Sequence, residues 1–345
     1  VNSTSIKTSW ALIAAMLLSL LGLSPSYAGS QVSELEANKV LIRHYVESRW
    51  DSSRMATNDE IFASDVNWQR SEFQNLVTNA EDPMLKMHSD SLSVAIPDRV
   101  DVVEEMVAEG NIVGVQYRTT GTHLGNLYGI LATGKAIDIQ ATAFYKLVGG
   151  QIIEFWEMSD ETGLLQQLGV WLPERSDGMS IAPVANYPVR PGSEVLVDIL
   201  SEPEDTDTYT NKVRVSAYKS TIRPANQVFD GRPYEIYTRA GFKYVGLRGA
   251  ELGLTGMNTA FPDRLDQVGV LIAEGNKVMI SFLLTGTNTG SLFGNPATNN
   301  PVGAWEVGIH TFEGTHWKEG WWFGDDVGMM LQTEVPGEFV IPELR

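Results

Sequence analysis

The chain has 345 residues, with 25 Lys+Arg against 43 Asp+Glu and a formal charge of -18. Hydrophobic residues at 43% supply a core and exclude a disordered chain, and the length fits about two domains of roughly 150 residues. The acid excess argues against nucleic acid and anionic membrane surfaces as partners, and the absence of cysteine excludes disulfides, thiolate metal sites and a thiol nucleophile.

Residues 1–28 read as a signal peptide. Lys7 gives a short positive region, Trp10 to Leu23 is apolar but too short for a membrane span, and Ser26-Tyr27-Ala28 is a small-x-small cleavage site before Gly29. The expected location is therefore periplasmic or secreted, with no membrane attachment after cleavage. Glu34 to Trp50 carries apolar residues at helical spacing, and Arg54 to Phe62 is expected to form a second short helix. Val100–Val107 and Ile112–Thr119 alternate like strands around the turn Glu109-Gly110-Asn111. Ala136–Val148 and Ile152–Trp156 form a hairpin about Gly149-Gly150. Asp160 caps a helix over Glu161–Leu168, which Gly169 ends. Pro173–Pro191 reads as a linker, Glu202–Asp207 as an acidic loop, and Tyr209–Thr221 as the first helix of a second unit.

A tandem repeat organises the chain. Ile96-Pro97-Asp98-Arg99-Val100-Asp101 returns as Phe261-Pro262-Asp263-Arg264-Leu265-Asp266, a shift of 165 residues. The same shift aligns Ala108-Glu109-Gly110-Asn111 with Ala273-Glu274-Gly275-Asn276, and Thr120-Gly121-Thr122 with Thr285-Gly286-Thr287. From Pro97 to Gln167 about 24 of 71 positions are identical without a gap. One long period means two whole domains. Helices followed by an antiparallel meander make each an α+β domain. The expected division is a signal peptide over 1–28, domain 1 over 29–172, a linker over 173–195 and a degenerate domain 2 over 196–345.

Tyr117-Arg118-Thr119-Thr120-Gly121-Thr122-His123-Leu124-Gly125, followed by Gly129-Ile130-Leu131-Ala132-Thr133-Gly134-Lys135, resembles a run characteristic of SnoaL-like polyketide cyclases. Gly150–Trp156 and Asp160–Gly169 resemble that family's last strand and closing helix. The resemblance covers unit one almost whole and roughly the back half of unit two. It implies the cone-shaped α+β fold of nuclear transport factor two, with a pocket between a curled sheet and helices. It also implies metal-free intramolecular aldol ring closure by carboxylate chemistry. The acid/base position of those cyclases, three residues before the Asp of the Asp-x-x-Gly turn, falls on Glu157. Their pocket histidine falls on Ala143. A carboxylate in an apolar pocket has a raised pKa and moves protons near neutral pH.

The repeat separates scaffold from chemistry. Asp160/Asp325 and Trp156/Trp321 occur in both units, so capping and core packing explain them. Asp98 and Asp263, each followed by Arg, are expected to form a turn and a local ion pair. Glu157 becomes Trp322, so unit two lacks the candidate acid/base. The candidate catalytic residues are Glu157 and His123, and the candidate pocket residues are Trp68, Tyr145, Phe155, His310 and Trp322. No His/Asp/Glu spacing resembles a metal site, so no metal or other cofactor is expected. Three readings follow. One is an exported proton-transfer enzyme (a cyclase, isomerase or lyase) acting on a small apolar carbonyl compound. The second is a non-catalytic binder of a small hydrophobic molecule. The third is an interaction protein, with the units packed as an intrachain pseudo-dimer or the chain forming homo-oligomers.

Overall fold

The computed structural model describes residues 34–50, 61–70, 94–127, 130–169, 189–220, 235–239, 257–292, 296–325, 329 and 332–333. Residues 1–28, His88, residues 54–60 of the expected 54–62 helix and residues 173–188 of the expected linker lie outside the described residues.

Domain 1 opens with helix α1 (Glu34–Ser48), whose buried face is Asn38, Ile42, Tyr45 and Val46. Five strands follow: β1 (Phe62–Arg70), β2 (Val100–Glu109), β3 (Ile112–Thr122), β4 (Ala136–Val148) and β5 (Gln151–Ser159), closed by α2 (Glu161–Leu168). The sheet order is β1-β5-β4-β3-β2, antiparallel except for the parallel β1–β5 pair. β1 is absent from the sequence reading although Phe62, Val66 and Trp68 recur at period two, because Ser64 interrupts the apolar series and the strand lies at the sheet edge. α2 begins as expected: the Asp160 carboxylate accepts the Gly163 N–H at 2.7 Å.

Domain 2 repeats the plan. A two-residue strand β6 (Arg190–Pro191) leads into α3 (Gly192–Ser201) and α4 (Asp207–Lys219), followed by β7 (Ile236–Arg239) and α5 (Met257–Ala260). The long strands are β8 (Leu265–Glu274), β9 (Lys277–Thr287), β10 (Pro301–Glu313) and β11 (His316–Gly324). The sheet order is β6-β8-β9-β10-β11-β7, so the parallel edge pair recurs. Helical structure from Gly192 shortens the expected 173–195 linker at its C-terminal end. Both first long strands carry an irregularity at one repeat position, Val103/Glu105 and Val268/Val270. Such bulges bend a strand and raise its twist.

Each sheet has two buried faces. In domain 1 the inner face (Val113, Val115, Tyr117, Ala141, Ala143, Tyr145, Phe155) packs on Ile42, Tyr45 and Val46 of α1. The opposite face meets domain 2. Val107, Phe144, Trp156 and Met158 share one cluster with Val270, Ile272, Met279, Leu283, Trp305, Val307 and Ile309. Trp156 therefore packs between the domains, 5.6 Å from the ring of Trp305, and not in the interior of its own cone. Gly114 marks a close approach of the two sheets: an added Cβ would lie 2.6 Å from the Met279 sulfur.

Candidate functional site

α1 ends at Ser48, and the next residue, Arg49, turns inward over the sheet. Its guanidinium is buried, 2.9 Å from Asp101 and 3.0 Å from Glu157, and its Nη2 donates to the Tyr117 hydroxyl at 2.7 Å. Tyr117 donates to Glu157 Oε1. Asp101 also accepts from Arg99, from Thr119 at 2.7 Å and from the Trp50 indole at 2.6 Å. Glu157 is 9% exposed, on the β5 residue that pairs with Ala143 of β4. The small side chains Ala141 and Ala143 leave the inner face low beside it.

The charges follow from this packing. Burial works against the Arg49 cation, but Glu157, Tyr117 and Asp101 outweigh it and raise its pKa well above the usual guanidinium value. Burial alone would raise Asp101, but Arg99 and Arg49 hold it at about 2. Tyr117 and Tyr145 are pushed well above the usual phenol range, chiefly by burial, so both are neutral donors. This corrects one expectation. Glu157 does not stand in an apolar pocket: a guanidinium and a phenol meet it, and a nearby cation favours the carboxylate anion.

Tyr145 and Phe155 lie on the same inner face as Glu157, as expected for pocket residues. Their rings stack at 5.6 Å with an interplanar angle of 18°, and Tyr45 meets Tyr145 edge-on at 5.9 Å. The Tyr145 hydroxyl is fully buried and has no hydrogen-bond partner among the described residues. Trp68 pairs in register with Phe155 on β1; its side chain lies outside the description.

His123 does not join this group. It follows the end of β3, six residues beyond Tyr117, about 20 Å along an extended strand. Its Nδ1 accepts the Thr133 N–H at 3.2 Å and lies 3.0 Å from the Thr133 hydroxyl. At the repeat position, Asn288 Oδ1 accepts the Thr298 N–H at 2.9 Å and the Thr298 hydroxyl at 3.0 Å. An imidazole nitrogen and an amide oxygen hold the same loop, so His123 is a loop latch. Asp98 is corrected too. It accepts the Thr122 N–H at 2.7 Å and the Thr122 hydroxyl at 2.8 Å, while Arg99 turns to Asp101. Asp263 and Arg264 behave alike with Thr287 and Asp266.

In domain 2 the matching interior is rebuilt. Lys219 pairs at 3.1 Å with Asp266, the repeat partner of Asp101, and so supplies a cation as Arg49 does, from a position nearly one turn earlier on its helix. Its ammonium lies 3.2 Å from the ring centre of Phe282 and 4.3 Å from that of Trp322, the residues at the positions of Tyr117 and Glu157. His310 occupies the position of Tyr145, edge-on to Trp317 at 4.7 Å and to Trp322 at 4.6 Å. Arg49 and Lys219 escaped the sequence reading because the helices carrying them align with a shift of 173 residues (Asn38-Lys39-Val40 with Asn211-Lys212-Val213, Tyr45 with Tyr218), not 165, and Lys219 falls opposite Val46. Among the described residues, no group of three or more His, Asp or Glu is arranged to hold a metal.

Two cones of helix and curled sheet, each with a polar or aromatic interior, define the class of protein. The chain belongs to the SnoaL-like polyketide cyclase family, whose model matches residues 39–168 and 220–333, more than half of its length. No curated protein matches it. Among solved structures, a protein from Jannaschia sp. CCS1 named as a SnoaL-like polyketide cyclase is 19% identical over 40% of this chain and 96% of its own, with a TM-score of 0.35. IdmH, a candidate polyketide cyclase from Streptomyces antibioticus, is 23% identical over 39% of this chain and 99% of its own, with a TM-score of 0.35. A nuclear transport factor two-like protein of unknown function from Burkholderia pseudomallei K96243 is 12% identical over 38% of this chain and 97% of its own, with a TM-score of 0.32. Each is about one domain long.

Proposed function

We propose that domain 1 catalyses cofactor-free proton transfer on a small apolar carbonyl compound, in the manner of a cyclase or isomerase. The observation that carries this is Glu157, a buried carboxylate between a guanidinium and two neutral phenols on the inner face of the sheet. Glu157 takes a proton from the carbon next to a carbonyl. The electron pair moves to the carbonyl oxygen, where Arg49 and the Tyr145 hydroxyl stabilise the enolate. In a ring closure the enolate carbon attacks a second carbonyl carbon of the same molecule, and Glu157 returns its proton to the new alkoxide. Domain 2, with Trp322 in place of Glu157, takes no part in this step. The reading includes export, on the strength of the leader-like composition of residues 1–28.

A second reading, a binder without turnover, is favoured by one contact set: Glu157 Oε1 already accepts from Arg49 and Tyr117. Glu157→Gln separates the two. The probe is 2-acetonaphthone in D2O, with methyl-proton exchange followed by NMR. An enzyme exchanges these protons faster than buffer does, and Glu157→Gln slows it about 10²–10⁴-fold while binding changes little. If the wild type binds the ketone but exchanges it no faster than buffer, the binding reading stands instead.

A further inference from the structure

Position 145 and its repeat partner 310 share a feature that their chemistry does not explain. Tyr145 and His310 are both completely buried, and among the described residues the Tyr145 hydroxyl and both His310 ring nitrogens have no hydrogen-bond partner. Leaving a buried polar atom unpaired forfeits its bonds to water with nothing in return, and native interiors contain few. Two domains that diverged at most inner positions nevertheless both place one here. Phenol and imidazole are different groups, so shared descent alone does not supply the polar atom. A guest that hydrogen-bonds at this position in each cone accounts for both.

We propose that domain 2 is a second binding site, for a neutral planar compound carrying a hydroxyl group, anchored by His310 and not turned over. His310 pKa is held well below the ordinary imidazole value by burial and by the nearby Lys219 cation, so the ring is neutral and offers one donor and one acceptor. Around it stand Trp317 and Trp322, and Phe282 meets Trp322 edge-on at 5.9 Å, so the interior offers flat apolar surfaces suited to an aromatic or enol ring. A carboxylate ligand fits less well: the Lys219 charge is already shared with Asp266 and two aromatic faces. The side chain at position 308 must be absent, because a Cβ there would lie 2.6 Å from His310 Nε2. Gly308 thus gives the imidazole its place. The inference concerns domain 2 alone and does not need Glu157 to be catalytic.

The test uses the full chain and two probes, 2-naphthol and naphthalene, titrated calorimetrically into wild type, His310→Phe and Tyr145→Phe. Phenylalanine keeps a ring and removes both nitrogens. The proposal expects a class of 2-naphthol sites that His310→Phe weakens about tenfold, the loss of one hydrogen bond. Naphthalene binding at that site is unchanged, and Tyr145→Phe leaves the class intact. Ring-nitrogen NMR of His310 in the wild type keeps the idea testable if the variant does not fold: its signals shift with 2-naphthol and stay with naphthalene. Unchanged 2-naphthol binding in His310→Phe, or His310 signals that ignore 2-naphthol, overturns the proposal. Failure of ketone exchange at Glu157 is read separately and leaves this result untouched.

Discussion

Asp101 shows how one residue couples the site to stability. Its carboxyl is held at about 2, against an ordinary value of 3.8, by two guanidinium groups that outweigh its burial. A depressed pKa contributes stability that is present above the unfolded value and is lost as pH falls through the folded one. The window is therefore about pH 4 down to pH 2, and the contribution is about 2–3 kcal/mol. Asp101→Asn should remove most of that acid-dependent loss, measured as melting temperature against pH. It should also lower neutral-pH stability by about 3 kcal/mol, because Arg49 and Arg99 lose a buried partner. At His123 the opposite is expected. Asparagine already serves at the repeat position, so His123→Asn should change stability by under about 1 kcal/mol, whereas His123→Ala, which leaves the Thr133 N–H unmet, should cost about 1–2 kcal/mol. Equal losses in the two variants would remove the latch reading.

At the scale of elements, Gly125 fixes the turn after β3. The N–H groups of Leu124 and Gly125 both donate to the Ala95 carbonyl, at 2.8 and 3.1 Å. A Cβ on Gly125 would lie 2.1 Å from the Val94 carbonyl oxygen, and one on Gly290 would lie 2.1 Å from that of Thr259. Backbone cannot yield as a flexible side chain does. Gly125→Ala should therefore cost more than about 3 kcal/mol, while Gly114→Ala, which meets the flexible end of Met279, should cost about 1–2 kcal/mol. Denaturant midpoints of the two variants check the order. The reverse order would mean that the sheets tolerate separation less than the turn does.

The whole molecule is held by a reciprocal junction. Glu109 accepts the Ala273 N–H at 2.8 Å and pairs with Lys212; Glu274 accepts the Ala108 N–H at 2.9 Å and pairs with Lys39. Glu109/Glu274 and Ala108/Ala273 are repeat partners, so the contact has the self-complementary form of a two-fold interface. These half-buried ion pairs are worth little each, and the shared apolar cluster contributes more. The full chain should thus unfold in a single calorimetric transition. Residues 29–172 produced alone would expose Val107, Phe144, Trp156 and Met158, and should form a dimer or aggregate, read by light scattering. Two separate transitions with a monomeric domain 1 would mean that the junction holds little energy.

The sequence by itself determined the duplication, the four long strands of each meander and the closing helix. All of these rest on local periodicity, on turn residues such as Gly110 and Gly149, and on a repeat that ran without gaps from Pro97 to Gln167. The family resemblance pointed to Glu157, and the repeat showed that unit two has Trp322 in its place. Only the tertiary structure decided what surrounds that carboxylate. Arg49 lies 108 residues away on an element whose repeat offset differs, and a charged residue just past a helix end carries no periodic signal. It likewise moved His123 out of the site and Trp156 to the junction. Strand alternation says that a residue is buried, but both faces of these sheets are buried, and the partner on each face is chosen by chain segments distant in sequence.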